Sequence, residues 1–227
     1  MMIESRIELG WRRTPLAREL DGTHPLVVVR TDDEQWFRDE VFDAIPSQVI
    51  VRRWSAVRGL EESRLEGPPI AGTEDPAGAL AWIAMRASPT RAVNLFFDLS
   101  PHLEDSRTVR ALREAVQQAR RTFGTVVLVE RESRLPPSID GEAHHWAPPV
   151  PTKDELEEAI RSALREARKT RVITHEGTRR TLDAMVRGLG GLTRRQAERV
   201  ARACVAEDDR RDASDLDRLV ALKRNAV

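Results

Sequence analysis

The sequence has no tyrosine, one cysteine (Cys204) and no net charge. It also has no apolar run approaching the roughly 18 residues of a membrane helix. Each absence closes a class. A single thiol permits no intrachain disulfide and no all-cysteine metal site, which fits a reducing compartment. With 37 basic residues against 37 acidic ones there is no global pull toward nucleic acid or an anionic bilayer. Aromatic stacking surfaces must come from five Phe and five Trp. The opening stretch MMIESRIELGWRR lacks the apolar centre of a secretory leader. The expectation is a cytoplasmic protein with no membrane partner.

What is present suffices for a globular fold. The chain of 227 residues holds one large domain, or one domain with a small appendage, and 40% hydrophobic residues can fill its core. A short helix is expected near 7–20, with Leu9, Trp11, Leu16 and Leu20 as contacts. The β-branched run 26–29 reads as a buried strand. Thr31-Asp32-Asp33-Glu34 then reads as a helix start, with Thr31 or Asp32 as cap and Pro46 as the stop. A second strand is expected over 48–54, and a loop over 56–75, where Gly59, Gly67, Pro68, Pro69 and Gly72 gather. Asp75-Pro76 opens a helix that Ser88-Pro89 ends. The most apolar strand, 92–99, precedes an amphipathic helix over 104–123, with Gly124 as its cap. A fourth strand at 125–129, a polar loop at 131–143 and a short fifth strand at 144–150 follow.

From Thr152 onward the pattern is helical only. Thr152 with Glu155 has the form of a capping box opening a helix to about Lys169. Further helices are expected at 177–187, 193–206 and 214–224. Alternation followed by helices alone predicts an α/β fold. A parallel five-stranded sheet flanked by helices occupies 25–150, a helical lid occupies 151–227, and a polar extension precedes them at 1–24.

Three blocks carry a resemblance. Ala92-Val93-Asn94-Leu95-Phe96-Phe97-Asp98 resembles a Walker B strand, an apolar run ending in Asp. Pro149-Val150-Pro151-Thr152-Lys153-Asp154-Glu155-Leu156 resembles the proline-containing entry from a last core strand into a first lid helix. Gly188-Leu189-Gly190-Gly191-Leu192-Thr193, followed by Ala197-Glu198, resembles the turn before a third lid helix. Together they resemble the core and lid of AAA+ ATPases, a P-loop NTPase type of fold. More narrowly, over residues 20–224, they resemble the degenerate N-terminal AAA domain of bacterial and plastid Ycf46-type proteins.

The resemblance sets a list of parts to look for. A phosphate loop of the form G-x-x-x-x-G-K-[ST] belongs after the first strand. Here that position reads Arg30-Thr31-Asp32-Asp33-Glu34-Gln35, with neither Gly nor Lys and with three carboxylates. Asp98 is the candidate Mg²⁺ ligand, but Leu99 stands where the water-polarising Glu is expected; the plainer reading makes Asp98 a cap for the turn at Ser100-Pro101. Arg131 and Arg134 are the candidates for an arginine acting in trans on a neighbour's nucleotide. Arg194 and Arg195, opening the third lid helix, are candidates for a sensor role or a partner contact.

No catalytic residue and no metal ligand is expected. His144 and His145 are adjacent, so on a strand they face opposite ways; His175-Glu176 lacks a second His; Cys204 falls on an apolar helix face. The leading reading is a degenerate AAA+-like module, non-catalytic and without a cofactor. It acts as a structural or regulatory partner of an ATPase-family subunit or by self-assembly. One alternative is an ATP-binding AAA subunit, using ATP and Mg²⁺, whose site another chain completes. A second is a nucleic-acid-binding accessory protein using the Arg-rich helix faces, although interleaved acids make those faces read as solvated.

Overall fold

The computed structural model describes residues 11, 14–62, 67–86, 91–132, 134–170 and 179–206. The chain divides into two compact units, Met1–Pro148 and Pro149–Val227. The first unit carries strands β1 (Leu26–Arg30), β2 (Ile50–Ser55), β3 (Gly59–Glu61), β4 (Ala92–Phe97), β5 (Thr125–Glu130) and β6 (His144–Trp146). Its helices are α1 (Pro15–Glu19), α2 (Glu34–Ala44), α3 (Pro76–Met85), α4 (Ser106–Thr122) and α5 (Pro137–Asp140). The strands form one sheet in the order β3-β2-β4-β5-β1-β6. Every neighbouring pair is parallel except β2 with β3.

The apolar runs of β1 and β5 are unbroken because the sheet is covered on both faces. Val27, Val29, Val93, Leu95, Val127 and Val129 pack with Leu16 of α1 and with Phe37 and Val41 of α2. The alternate residues Val28, Trp54, Phe96, Val126 and Leu128 pack with Leu80 and Ile83 of α3 and with Leu112 and Ala115 of α4. Period-two alternation therefore sends apolar side chains to two cores rather than to a core and to water.

The expected five-stranded parallel core has a sixth strand. Residues 56–75 were expected as a loop on their Gly and Pro content, but β3 folds back antiparallel on β2 with Arg53 opposite Glu61. The reason is burial. Leu60 is fully enclosed, and its N–H donates to Thr73 Oγ1 at 2.8 Å. Trp54 Nε1 donates to the Thr73 carbonyl at 2.8 Å. Arg52, buried on the same face of β2 as Trp54, donates to Glu62 at 2.8 Å and to Asn94 at 3.3 Å. The hairpin thus supplies the two carboxylates that a strand carrying two buried arginines needs.

The end of α4 differs from expectation as well. Phe123 adopts the left-handed cap conformation, with φ of 54°. Gly124 is needed for another reason: a Cβ there would lie 2.6 Å from the Ala92 carbonyl oxygen. The expected strand over 144–150 stops at Trp146, and the 131–143 loop contains α5. Of the N-terminal helix expected near 7–20, α1 is the described part; residues 1–10 lie outside the described residues.

The second unit holds α6 (Lys153–Thr170), α7 (Arg179–Leu189) and α8 (Arg194–Ala206). Leu156, Ile160, Met185, Leu189, Leu192, Val200, Ala201 and Cys204 form its core, so the thiol lies on a buried helix face as expected. The expected helix 214–224 lies outside the described residues. No helix among the described residues is long and apolar enough to cross a membrane.

Candidate functional site at the carboxyl end of the sheet

In open parallel sheets, ligands bind outside the carboxyl ends of the strands, where the strand order reverses. Here β1 lies between β5 and β6, and the chain leaving β1 must pass β5 and β4 to reach β2. The ends of β1, β5 and β4 are tied together by backbone bonds. Thr31 N–H donates to the Glu130 carbonyl at 2.9 Å, and Asp98 N–H to the Val129 carbonyl at 3.1 Å.

Between β1 and α2 stand only Thr31, Asp32 and Asp33. The cap of α2 is Asp33, not Thr31 or Asp32: its Oδ1 accepts from Trp36 N–H at 3.1 Å. Asp33 N–H in turn donates to Thr31 Oγ1 at 3.0 Å. Asp33 and Glu34 place two carboxylates where the helix dipole favours negative charge.

Asp98 follows β4 in the left-handed conformation, with φ of 54°, and it is exposed. It does not cap the turn that follows. Ser100 N–H donates instead to Oε1 of Glu130, at 3.0 Å. Glu130 is only 2% exposed. Burial pushes its carboxyl above the usual carboxylate range. The Ser100 N–H and hydroxyl and the Leu99 N–H oppose the rise, and the Asp98 charge adds to it. Sequence reasoning missed Glu130, although an acid closing the run Thr125-Val126-Val127-Leu128-Val129 was a signal: a strand covered on both faces has no water for it.

The family model for the N-terminal domain of SpoVK-like AAA ATPases matches residues 12–148, and that for their second domain matches 154–227. The chain belongs to the SpoVK-like AAA ATPase family. The family models name SpoVK-like ATPases where the sequence pointed to Ycf46-type proteins. Among solved structures, the chain is similar to the FIGL-1 AAA domain in complex with ADP, with TM-score 0.47, 11% identity, 89% of this chain and 71% of that one. It is also similar to C. elegans PCH-2, with TM-score 0.36, 14% identity, 60% of this chain and 41% of that one. A third similarity is to Drosophila ORC bound to DNA, with TM-score 0.34, 9% identity, all of this chain and 58% of that one. The ADP and the DNA belong to those proteins. No curated protein matches the chain in sequence.

For a member of an AAA family, the carboxyl end of the sheet is therefore densely acidic and internally bonded. Arg131 and Arg134 lie beyond β5 and are exposed. Arg194 and Arg195 belong to the helical unit. Arg194 is used inside that unit: Nη2 lies 2.7 Å from Glu155 Oε1, and Nη1 donates to the Pro149 carbonyl at 2.8 Å. Arg195, one position on, is exposed. His144 and His145 face apart as expected, His144 toward Glu19 at 2.7 Å and His145 toward Asp140 at 3.0 Å.

Proposed function

We propose that this AAA-type chain does not hold ATP at its own sheet, needs no nucleotide cofactor and acts through protein contacts, as a structural or regulatory partner in an ATPase assembly. The observation that carries the reading is the β1–α2 connection. A phosphate cradle is made of backbone N–H groups left open by glycine-rich turns, with a Lys beside them. Here the Thr31 and Asp33 amides of the connection donate to Glu130 and Thr31, and the Trp36 amide in the first turn of α2 donates to Asp33. An arriving phosphate would meet Asp32, Asp33 and Glu34, with no Lys in the connection to offset them.

The partner reading rests on the helical unit, which keeps a packed core and capped helices. Arg195, Arg199 and Arg202 fall on one exposed face of α8. Arg suits an interface because its planar fork makes bidentate pairs while its stem covers apolar area. The contact surface is assigned to Arg195, Arg199 and Arg202 on their exposure, with Arg202 also 3.9 Å from Glu198 on the same helix, whereas the Arg194 side chain is largely covered.

Calorimetric titration with Mg-ATP is expected to give no saturable heat at sub-millimolar nucleotide. Micromolar affinity that disappears in Asp98→Ala would overturn this and make the chain a nucleotide-binding subunit. For the contact, wild type is expected to recover an ATPase-family protein from native extract, and the folded variant Arg195→Glu/Arg199→Glu to lose it. Equal recovery by both moves the contact away from α8.

A further inference from the structure

Three ligand-type side chains from three separate segments meet at the opposite, amino-terminal end of the sheet. Glu19 is the last residue of α1, His24 sits just before β1, and His144 opens β6. One carboxylate oxygen and one ring nitrogen from each imidazole lie within 4.8 Å of one another. His144 Nε2 is 2.7 Å from Glu19 Oε2. The His24 and His144 rings stack with centroids 3.9 Å apart and 9° between their planes. All three residues are half-buried, so an ion can reach them from solvent.

The fold holds the cluster from each side. Pairing of β6 with β1 puts His144 beside Val27, near the chain that enters β1 through His24. Helix α1 is anchored by the buried Leu16, Ala17 and Leu20. The turn between α1 and His24 is pinned by Asp21 Oδ1, which accepts from Thr23 N–H at 3.0 Å. It is also pinned by Gly22, where a Cβ would run into the Phe123 carbonyl oxygen. The expectation of no metal ligand weighed His144 only with its neighbour His145, which faces away. The partners that matter come from about 120 residues earlier in the chain.

We propose that Glu19, His24 and His144 bind one divalent transition-metal ion of the zinc class, with water completing its coordination. Two imidazole nitrogens and one carboxylate oxygen are a donor set that zinc takes, and imidazole favours such ions over magnesium or calcium. Binding requires one stacked ring to turn about its Cβ–Cγ bond so that both lone pairs aim at one point. It also requires the Glu19 carboxylate to exchange its contact with His144 for the ion. The ion then fastens α1 and the short edge strand β6 to the entry of β1.

The test uses the full chain, stripped of metal with a chelator, and zinc chloride as the probe. Calorimetry is expected to show one zinc ion per chain at micromolar concentration, with a rise of a few degrees in thermal midpoint from preferential binding to the folded state. His24→Ala and His144→Ala are each expected to weaken binding at least tenfold and to abolish the rise in midpoint; His145→Ala is expected to leave both unchanged, and magnesium to give neither. Absence of saturable zinc binding by the wild type overturns the proposal. So does equal binding by His24→Ala, or loss of binding in His145→Ala with retention in His24→Ala. His24 lies outside every strand and helix, so its variant keeps the test decisive if His144→Ala fails to fold.

Discussion

In the α/β unit the residues that hold the sheet together are far apart in sequence; in the helical unit the starts of α6 and α8 are fixed by reciprocal pairs three residues apart. Leu26 lies beside Val126 and Ile50 beside Ala92 in the sheet, and Leu20 accepts at its carbonyl from Thr125 Oγ1. In the helical unit, Thr152 N–H donates to Glu155 Oε2 at 2.6 Å and Glu155 N–H to Thr152 Oγ1 at 3.3 Å. Thr193 and Gln196 repeat the exchange at α8, at 2.9 and 3.3 Å. Helices of the α/β unit are capped one way only, by Asp33 at α2, Asp75 at α3 and Asp105 at α4. What separates the units is thus a sheet built from distant segments against reciprocal boxes over a smaller core, and the two should fail in different ways.

The largest effect is expected from cutting the sheet core. Phe96 is fully buried and stands 5.6 Å, ring to ring, from Trp54. Phe96→Ala should lose about 3–5 kcal/mol of stability, read as a lower denaturation midpoint. Amide exchange should accelerate through β1, β4 and β5 before α6 and α8. Equal acceleration in both units would break the comparison and make the chain one cooperative body.

A cap deletion should act in the other unit. Thr152→Ala is expected to remove about 1 kcal/mol, with faster exchange in the first turn of α6. Glu155 adds a pH signature. Burial pushes its carboxyl up, but bonds from Thr152 and Arg194 outweigh burial and hold it below the usual range. A lowered folded pKa gives stability that is present above the unfolded value, about 4.3 for Glu, and lost as pH falls through the folded one. Protection from exchange in α6, taken relative to the intrinsic rate at each pH, should therefore fall on acidification in wild type and change less in Glu155→Gln.

The same contrast decides what could be read from the residues alone. The box at Thr152 was legible because both partners lie within one turn, and α6 begins where it predicts. The parallel core was legible because β1 and β5, covered on both faces, are unbroken apolar runs. The hairpin β3 was not: its evidence is Leu60 meeting Thr73 and Arg53 meeting Glu61, which composition rich in Gly and Pro conceals. Asp98 was visible at the end of its strand, but that Glu130 rather than Asp98 accepts from Ser100 depends on β4 and β5 lying side by side. The grouping of His24 with His144 likewise depends on β6 pairing with β1. Arg194 was noticed for its position at a helix start, but its use by Glu155 and Pro149 follows only from the packing of α8 against α6.

The smallest expected effect carries the opposite pH sign and belongs to the α/β unit. Glu130 is buried and its carboxyl is raised, so the folded state holds its proton more tightly than the unfolded chain does. The stability from that preference is fully present below the unfolded pKa and is lost as pH rises through the folded one. Glu130→Gln keeps an oxygen for the Ser100 N–H and removes the charge. It should therefore match or slightly exceed wild type in denaturant midpoint at pH 7, and its advantage should shrink toward zero as acidification protonates the wild-type carboxyl. The two units then answer acid in opposite senses through these groups, the helical unit loosening at Glu155 while the sheet end is relieved at Glu130. A Glu130→Gln variant weaker than wild type by the same amount at every pH would mean that the carboxylate is a fixed acceptor for Ser100 and does not titrate in the folded chain, leaving the pH contrast to Glu155 alone.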